Sequence, residues 1–397
     1  MNEKEYLREL GKRYQELAAS PVMEQRAELW LRHNDGDRSC SPVIIEIDSF
    51  LDSLLPALRC TDSFYRELEK LMLQEIVRAE EVGDDRVMPG KLQLPMRIHF
   101  RHLDYVPKVN FASQYGFHPE PVILDIEEDL SSLKRSVYSY DPAEDRERLE
   151  RANEILPTEL VNRSMDWLLV YTKYVVDLMG MEPWFYAMFD SPDKVHELME
   201  FLRTDLEAYV LWQQEQGLLT PNNGNHYTGS GSYGFTDSLS GEPVLSQMWG
   251  NMNSQESVSI SPDMFGEFVY PYYEKTARLF GKVYWGCCEP VDKIWDDYIS
   301  HMPNLAKVSI SAWCNEEFMG ERLAGSNVIY SRKPSPNFVG VPDAFLEETF
   351  AEHIRKTARA ARDCNLEIIM RDIYTLKGDR RRAKRAVDIA RSILNNR

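Results

Sequence analysis

The chain contains no uninterrupted apolar run of about 18 residues, the length a membrane-crossing helix requires. Its first residues, MNEKEYLRELGKRYQELA, are charged and lack the apolar stretch of a signal peptide. Positive charge is scarce: 46 Lys and Arg stand against 64 Asp and Glu, a formal net charge of −18. Nucleic acids and anionic membranes demand clustered Lys and Arg, so neither is an expected partner. Cysteine is sparse too, with residues 40, 60, 287, 288, 314 and 364 showing no framework spacing, which suits reduced thiols in a cytoplasmic protein. Adjacent Cys287 and Cys288 are poor candidates for bonding to each other. None of the eight histidines falls in an HxH or HxxxH arrangement.

What is present describes a globular chain. Hydrophobic residues make up 43% and aromatics 11% of 397 positions, enough for a large core without staples. Residues 1–40 read as a helical extension: an amphipathic helix, a second helix through MEQRAELWLRH and the polar break NDGDRS. PVIIEID (42–48) suits a buried strand, and a long helix is expected from Asp52 to Glu81. RIHF and PVILDI in the segment 90–160 have the look of strands. Helical patterns follow over 163–179, 192–216 and 261–280.

From residue 282 the chain alternates. Strand KVYW precedes helix VDKIWDDYISHM, AKVSIS precedes NEEFMGERLA, NVIYS precedes a helix over 343–363, and NLEIIM precedes RRRAKRAVDIARSIL. Such strand–helix units imply right-handed crossovers and a parallel sheet with helices outside. A doubly wound sheet or a (β/α)8 barrel satisfies the pattern. The lack of a compositional linker favours an α/β (β/α)8 TIM barrel over residues 41–397, with the N-terminal helical extension added.

Active sites of such barrels lie at the C-terminal ends of the strands. The segments to read are therefore 286–289, 311–314, 331–334 and 371–373, which hold Cys288, Glu289, Trp313, Arg332, Lys333, Arg371 and Asp372. If the strand continues through Cys287 and Cys288, the two thiols point to opposite faces and at most one reaches the mouth. The stretch Gly229-Ser-Gly231-Ser-Tyr-Gly234 matches a dinucleotide fingerprint literally, but loop-like sequence flanks it where a strand and a helix are needed. It reads instead as a Gly-rich active-site loop, with Asn222, Tyr227 and Tyr233 as candidate pocket residues. Cys364 precedes its strand and belongs at the opposite end, and the Arg380–Arg385 run reads as a solvated helix face.

The run Gly286-Cys-Cys-Glu-Pro-Val-Asp-Lys-Ile-Trp-Asp296 resembles the H-x-C-G segment of the uroporphyrinogen decarboxylase superfamily. Ser261-Pro-Asp-Met-Phe-Gly-Glu-Phe268 with Pro271, and Met370-Arg-Asp-Ile-Tyr-Thr-Leu-Lys-Gly-Asp-Arg380, are similar to two further segments of it. The resemblance covers residues 160–397 and implies a (β/α)8 fold. The decarboxylase's own N-terminal M-R-Q-A-G-R segment has no counterpart, so the zinc-dependent, corrinoid-linked methyltransferase branch is the closer match. Within it, Cys288 falls on the cysteine of H-x-C, Gly286 replaces the histidine, and Asp372 replaces the C-terminal ligand cysteine.

The resemblance thus implies a zinc site built from Cys288 and Asp372, with Glu256 or Glu289 as a further ligand. Its carboxylates make it harder than a thiolate site, favouring an ether oxygen over a thiol. The expected activity moves a methyl group from a small methoxylated, aromatic donor to the cobalamin of a partner corrinoid protein. Zinc acts as Lewis acid, Glu289 and Asp372 are catalytic, and Tyr227, Tyr233, Trp285, Trp313 and Asn222 line the pocket with Arg332 and Lys333. A homodimer is compatible with the sequence. Two alternatives stand beside this reading: a metal-free decarboxylase-like lyase using Arg332, Lys333 and Arg371, and a non-catalytic barrel that binds a corrinoid protein. Without the resemblance, Asp372 is an ion-pair partner for Arg371 or Lys333.

Overall fold

The computed structural model describes residues 2–105, 108–111, 117–164 and 169–396. Its strands are β1 (Val43–Ile45), β2 (Leu92–Pro95), β3 (Ile98–Arg101), β4 (Val109–Phe111), β5 (Phe117–Pro119), β6 (Val137–Tyr140), β7 (Val161–Ser164), β8 (Tyr227–Gly229), β9 (Ser232–Tyr233), β10 (Trp249–Met252), β11 (Lys282–Trp285), β12 (Leu305–Ile310), β13 (Ile329–Arg332) and β14 (Leu366–Met370). Six form one parallel sheet in the order β1-β14-β13-β12-β11-β10, so the first strand lies beside the last. Helices Glu316–Leu323, Glu347–Ala360 and Arg381–Leu394 follow β12, β13 and β14 as the alternation predicts.

The free edge of β1 is finished by side chains. Val43 and Ile45 donate their N–H groups to Asp85 (2.8 Å) and Asp84 (3.1 Å), and Arg78 donates to the Ile45 carbonyl at 2.7 Å. At the other edge Leu169 bridges Met252 in parallel, while β2 and β7 pair with each other in a separate sheet. Among the described residues, then, six strands make one parallel sheet of an α/β fold.

Alternation along these strands sorts the side chains into two environments. Val43, Ile45, Val283, Trp285, Val308, Ile310, Tyr330, Ile368 and Met370 face the helices in one large core. The other face carries Ile44, Trp249, Asn251, Tyr284, Lys307, Ser309, Ser331, Lys333, Glu367 and Ile369. Against it packs the N-terminal helix Pro21–Asn34 through Trp30 and His33, and Leu7 and Tyr14 of helix Glu3–Ala18 belong to the same second core as Trp30, Ile44, Tyr233 and Ile369. The β8–β9 hairpin is pressed onto the same face. A Cβ on Gly229 would lie 2.5 Å from the Tyr284 ring, and one on Gly231 would lie 2.3 Å from Ile369, so only glycine permits this approach. No helix opens from the Gly-rich stretch, which is an antiparallel hairpin.

Several expected elements differ. The helix over 52–81 is interrupted: the chain is helical at Leu51–Leu54, turns extended at Leu55 ahead of Pro56, and resumes at Ser63–Val77. PVILDI is not a strand; its end opens the helical turn Ile126–Asp129 behind an Asp125 cap. RIHF is a strand, but it pairs antiparallel with β6 outside the main sheet. The helix expected over 163–179 begins only at Tyr171, residues 161–164 being β7 and 165–168 lying outside the described residues. VDKIWDDYISHM contributes two 3-10 turns in place of a helix. The basic run is partly structural: Arg382 is buried and donates to the carbonyls of Val339, Pro342 and Asp343.

Candidate active site

Beyond β11 the backbone takes a left-handed step at Gly286 (φ 95°) that ends the strand's alternation. Two bonds then hold the turn. Cys287 donates its N–H to Glu289 Oε2 at 2.9 Å, and Ser309 Oγ donates to the Cys287 carbonyl at 2.6 Å. As a result both thiols lie on one side, Sγ to Sγ 3.7 Å, where a continuing strand would have parted them. Of the two, Cys288 borders the cavity described below and Cys287 is buried.

Beyond β14, Arg371 and Asp372 meet the thiols. Arg371 Nη1 donates to Cys287 Sγ at 3.2 Å, and its Nε is 3.3 Å from both Glu46 and Asp372. Cys288 Sγ is 3.5 Å from Asp372 Oδ2. Asp372 itself has φ 57°, a left-handed conformation that Asp tolerates better than most residues and that recurs at functional sites. The Cys288 thiol, donating toward Cys287, holds the Cys287 thiol below its ordinary value against the opposing effect of burial, and Arg371 adds to the lowering. The same bond, with burial, holds the Cys288 thiol up. Burial likewise pushes Glu46 up against the opposing pull of Arg371.

Cys288, Arg371 and Asp372 border a cavity of about 210 Å³ with Ser311, Ala312, Trp313, Lys333, Pro334 and Pro336. Trp313, 76% exposed, forms its outer wall. Lys333 is buried and donates to Ser331 Oγ at 2.5 Å and to the Tyr284 hydroxyl. Burial brings its amine down to about 7. Beneath it, Glu367 accepts from Ser331 (2.5 Å), Ser232 (3.0 Å) and Lys307 (3.1 Å), and His33 of the N-terminal extension stands at 3.1 Å. Lys307 is drawn down to about 8 by burial, while its charge and the His33 bond hold Glu367 well below the usual carboxylate range despite burial.

Of the residues singled out in sequence, Cys288, Trp313, Lys333, Arg371 and Asp372 meet at this cavity. Tyr227 is 40% exposed and within the electrostatic reach of Glu46 and Arg371. The others stand elsewhere, mostly by parity. Arg332, one residue before Lys333, points to the helix layer and pairs with Glu316 at 2.6 Å. Trp285 is buried there too, against Tyr273 and Phe265. Asn222 is occupied by the Trp249 backbone (2.8 and 3.0 Å). Tyr233 packs on Trp30 and meets Arg86, well inside the inner core. Glu289 is buried, and both its oxygens accept backbone N–H groups, from Ser254 and Cys287, which makes it a clamp for the turn. Glu256 accepts from Thr172 at 2.7 Å.

The expected metal set therefore does not assemble. Among the described residues no three His, Cys, Asp or Glu side chains are grouped so as to hold a metal ion. Cys288 and Asp372 supply two donors, and Glu256 is engaged apart from them. Sequence reasoning passed over Glu46 and the Glu367–Lys307 pair. The available signal was a charge inside an apolar strand: Glu in LEIIM, Lys in LAKVSI, and Glu at the end of VII.

No family model matches the chain, and no curated protein does. Among solved structures, a methyltransferase from Methanosarcina mazei is similar at 11% identity, over 82% of this chain and 85% of that one, with a TM-score of 0.46. A likeness of that size leaves the function to be argued from the site.

Proposed function

We propose that the chain is a barrel-type methyltransferase of the uroporphyrinogen decarboxylase superfamily, which removes a methyl group from a small methoxylated donor, an aromatic methyl ether first, for delivery to a partner corrinoid protein. The observation that carries this reading is the convergence of Cys288, Arg371, Asp372 and Lys333 on one cavity beyond the strand ends, with Cys287 buried beside Cys288. The motif resemblance adds the reaction class. At about 210 Å³ the cavity lies below the roughly 300–1,000 Å³ of ordinary ligand pockets, which suits a one-ring donor. Exposed Trp313 and Tyr374 give the strand-end loops flat apolar surface of the kind a corrin face accepts. The corrinoid would supply the low-valent cobalt that takes the methyl group.

The chain's own work is to seat the donor and handle its proton. Trp313 stacks the ring, and Asp372 and Arg371 fix its polar substituents. Lys333, with its amine near neutrality, gives a proton to the departing oxygen and regains it from solvent. No step runs through zinc, because of the expected ligands only Cys288 and Asp372 meet, and among the described residues no three such side chains are grouped so as to hold a metal ion.

A second reading is favoured by the same mismatch: a metal-free lyase in which Lys333 and Arg371, both lining the cavity, bind a substrate carboxylate. One experiment addresses both. The purified chain is incubated with cob(I)alamin and a panel of methoxyarenes, following methylcobalamin by absorbance, while CO2 release is followed from the corresponding carboxylic acids. Methylcobalamin formation that is lost in Lys333→Met supports the methyltransferase. CO2 release without methyl transfer replaces it with the lyase, and neither product from any donor overturns both.

A further inference from the structure

The methyl-transfer reading makes no use of the contact between the two sulfurs. Adjacent cysteines in a regular strand present their thiols on opposite faces. Here Gly286 breaks the strand, the Glu289 carboxylate clamps the following N–H, and the sulfurs stand 3.7 Å apart. Cys288 borders the cavity, and Cys287 is buried against it with Arg371 on its sulfur. The other four cysteines are buried at separate places, Cys40 beside His33, Cys60 beside Glu69, Cys314 beside Asp292 and Cys364 against the Gly320 carbonyl.

We infer that Cys287 and Cys288 form a vicinal dithiol site that is reversibly oxidised to a disulfide by hydroperoxides and that captures trivalent arsenicals. In the oxidation one sulfur attacks the peroxide, breaking the O–O bond and forming a sulfenic acid with release of water or alcohol. The second sulfur then displaces hydroxide, which leaves as water with the second thiol proton. The pair loses two electrons and two protons, and the peroxide gains both. Neighbouring Cα atoms are about 3.8 Å apart across a trans peptide, short of the roughly 4.4–6.8 Å of an ordinary disulfide, so the ring is strained and readily reduced. A dithiol therefore reverses it by exchange. Oxidation draws Cys287 from Arg371 and Cys288 from Asp372, disassembling one wall of the cavity.

The test needs neither the donor nor the corrinoid, so its outcome is separate from that of the proposed function. The full chain is exposed to limiting hydrogen peroxide, its free thiols are alkylated, and the peptide holding residues 287 and 288 is weighed. The expected product lacks both alkyl groups and two hydrogens, and dithiothreitol restores the alkylatable form. Phenylarsine oxide is expected to bind once per chain, and binding is expected to be lost in Cys287→Ser and in Cys288→Ser. The inference is overturned if peroxide yields only sulfinic acid at either position, or if the pair stays alkylatable while other thiols oxidise. It is equally overturned if folded Cys288→Ser binds the arsenical as the wild type does. The peptide mass is read on the wild-type chain, so it decides even if a variant fails to fold.

Discussion

Replacing Lys307 by Met tests whether the charges on the inner face are as closely matched as their distances indicate. Glu367 is fully buried and has one lysine, Lys307, at 3.1 Å; its other partners are two hydroxyls and His33. Burial lowers His33 below its ordinary value against the opposing pull of Glu367, and the charge of Lys307 adds to the lowering. Removing the lysine leaves a buried carboxylate without its counter-charge, which costs about 3–5 kcal/mol. The loss depends on pH with a definite sign. In the wild type Glu367 is depressed, so its stabilisation is present above the unfolded carboxylate value and is lost as pH falls. In Lys307→Met the carboxylate rises, and His33, freed of a neighbouring cation, rises too and can share a proton with it. A group raised in the folded state stabilises below its unfolded value and loses that effect as pH rises. The deficit should therefore be largest near pH 8 and shrink toward pH 5–6. Adding Glu367→Gln to Lys307→Met removes the stranded charge but keeps partners for Ser232 and Ser331, and should restore all but about 1 kcal/mol. Urea unfolding followed by tryptophan fluorescence, with slopes checked for equality, measures each term. A deficit below about 1 kcal/mol near pH 8, or one that grows on acidification, would refute the reasoning.

Three further outcomes are expected. Since Lys333 titrates at about 7 and its protonated form is the acid, kcat/KM for methyl transfer should fall as pH rises through that value. Lys333→Met should lower the rate and flatten that limb of the profile; an unchanged limb removes Lys333 from the chemistry. Asp372→Asn keeps a side chain that tolerates the left-handed backbone, whereas Asp372→Ala does not, so both should depress activity but only the alanine should also cost about 1 kcal/mol in thermal or urea stability. Gly231→Ala combines a positive φ with a Cβ pressed on Ile369 and should destabilise by about 2–5 kcal/mol, against about 1–2 for Gly36→Ala, which has a positive φ and open space; equal losses would show that the hairpin is not packed so tightly.

The alternation after residue 282 specified β11 to β14 and three of their helices, because each strand is a short β-branched or aromatic run with its own turn signals. It also located the cavity, since side chains just beyond parallel strands must emerge at one edge of the sheet: Cys288, Trp313, Lys333 and Asp372 all came from those positions. Parity within the strands was equally legible. It separates Lys333, on the inner face, from Arg332, which is tied to Glu316. Tertiary structure alone decided the rest. A single left-handed glycine set Cys287 beside Cys288, and backbone dihedrals of that kind leave no periodic trace. Which partner satisfies a polar group was also settled in three dimensions. Glu256 met Thr172, 84 residues away in sequence, and His33 of the N-terminal extension met Glu367, 334 residues away. Local pattern determines which face a side chain occupies, because that depends on the next few dihedrals. Its neighbour on that face depends on how distant segments pack.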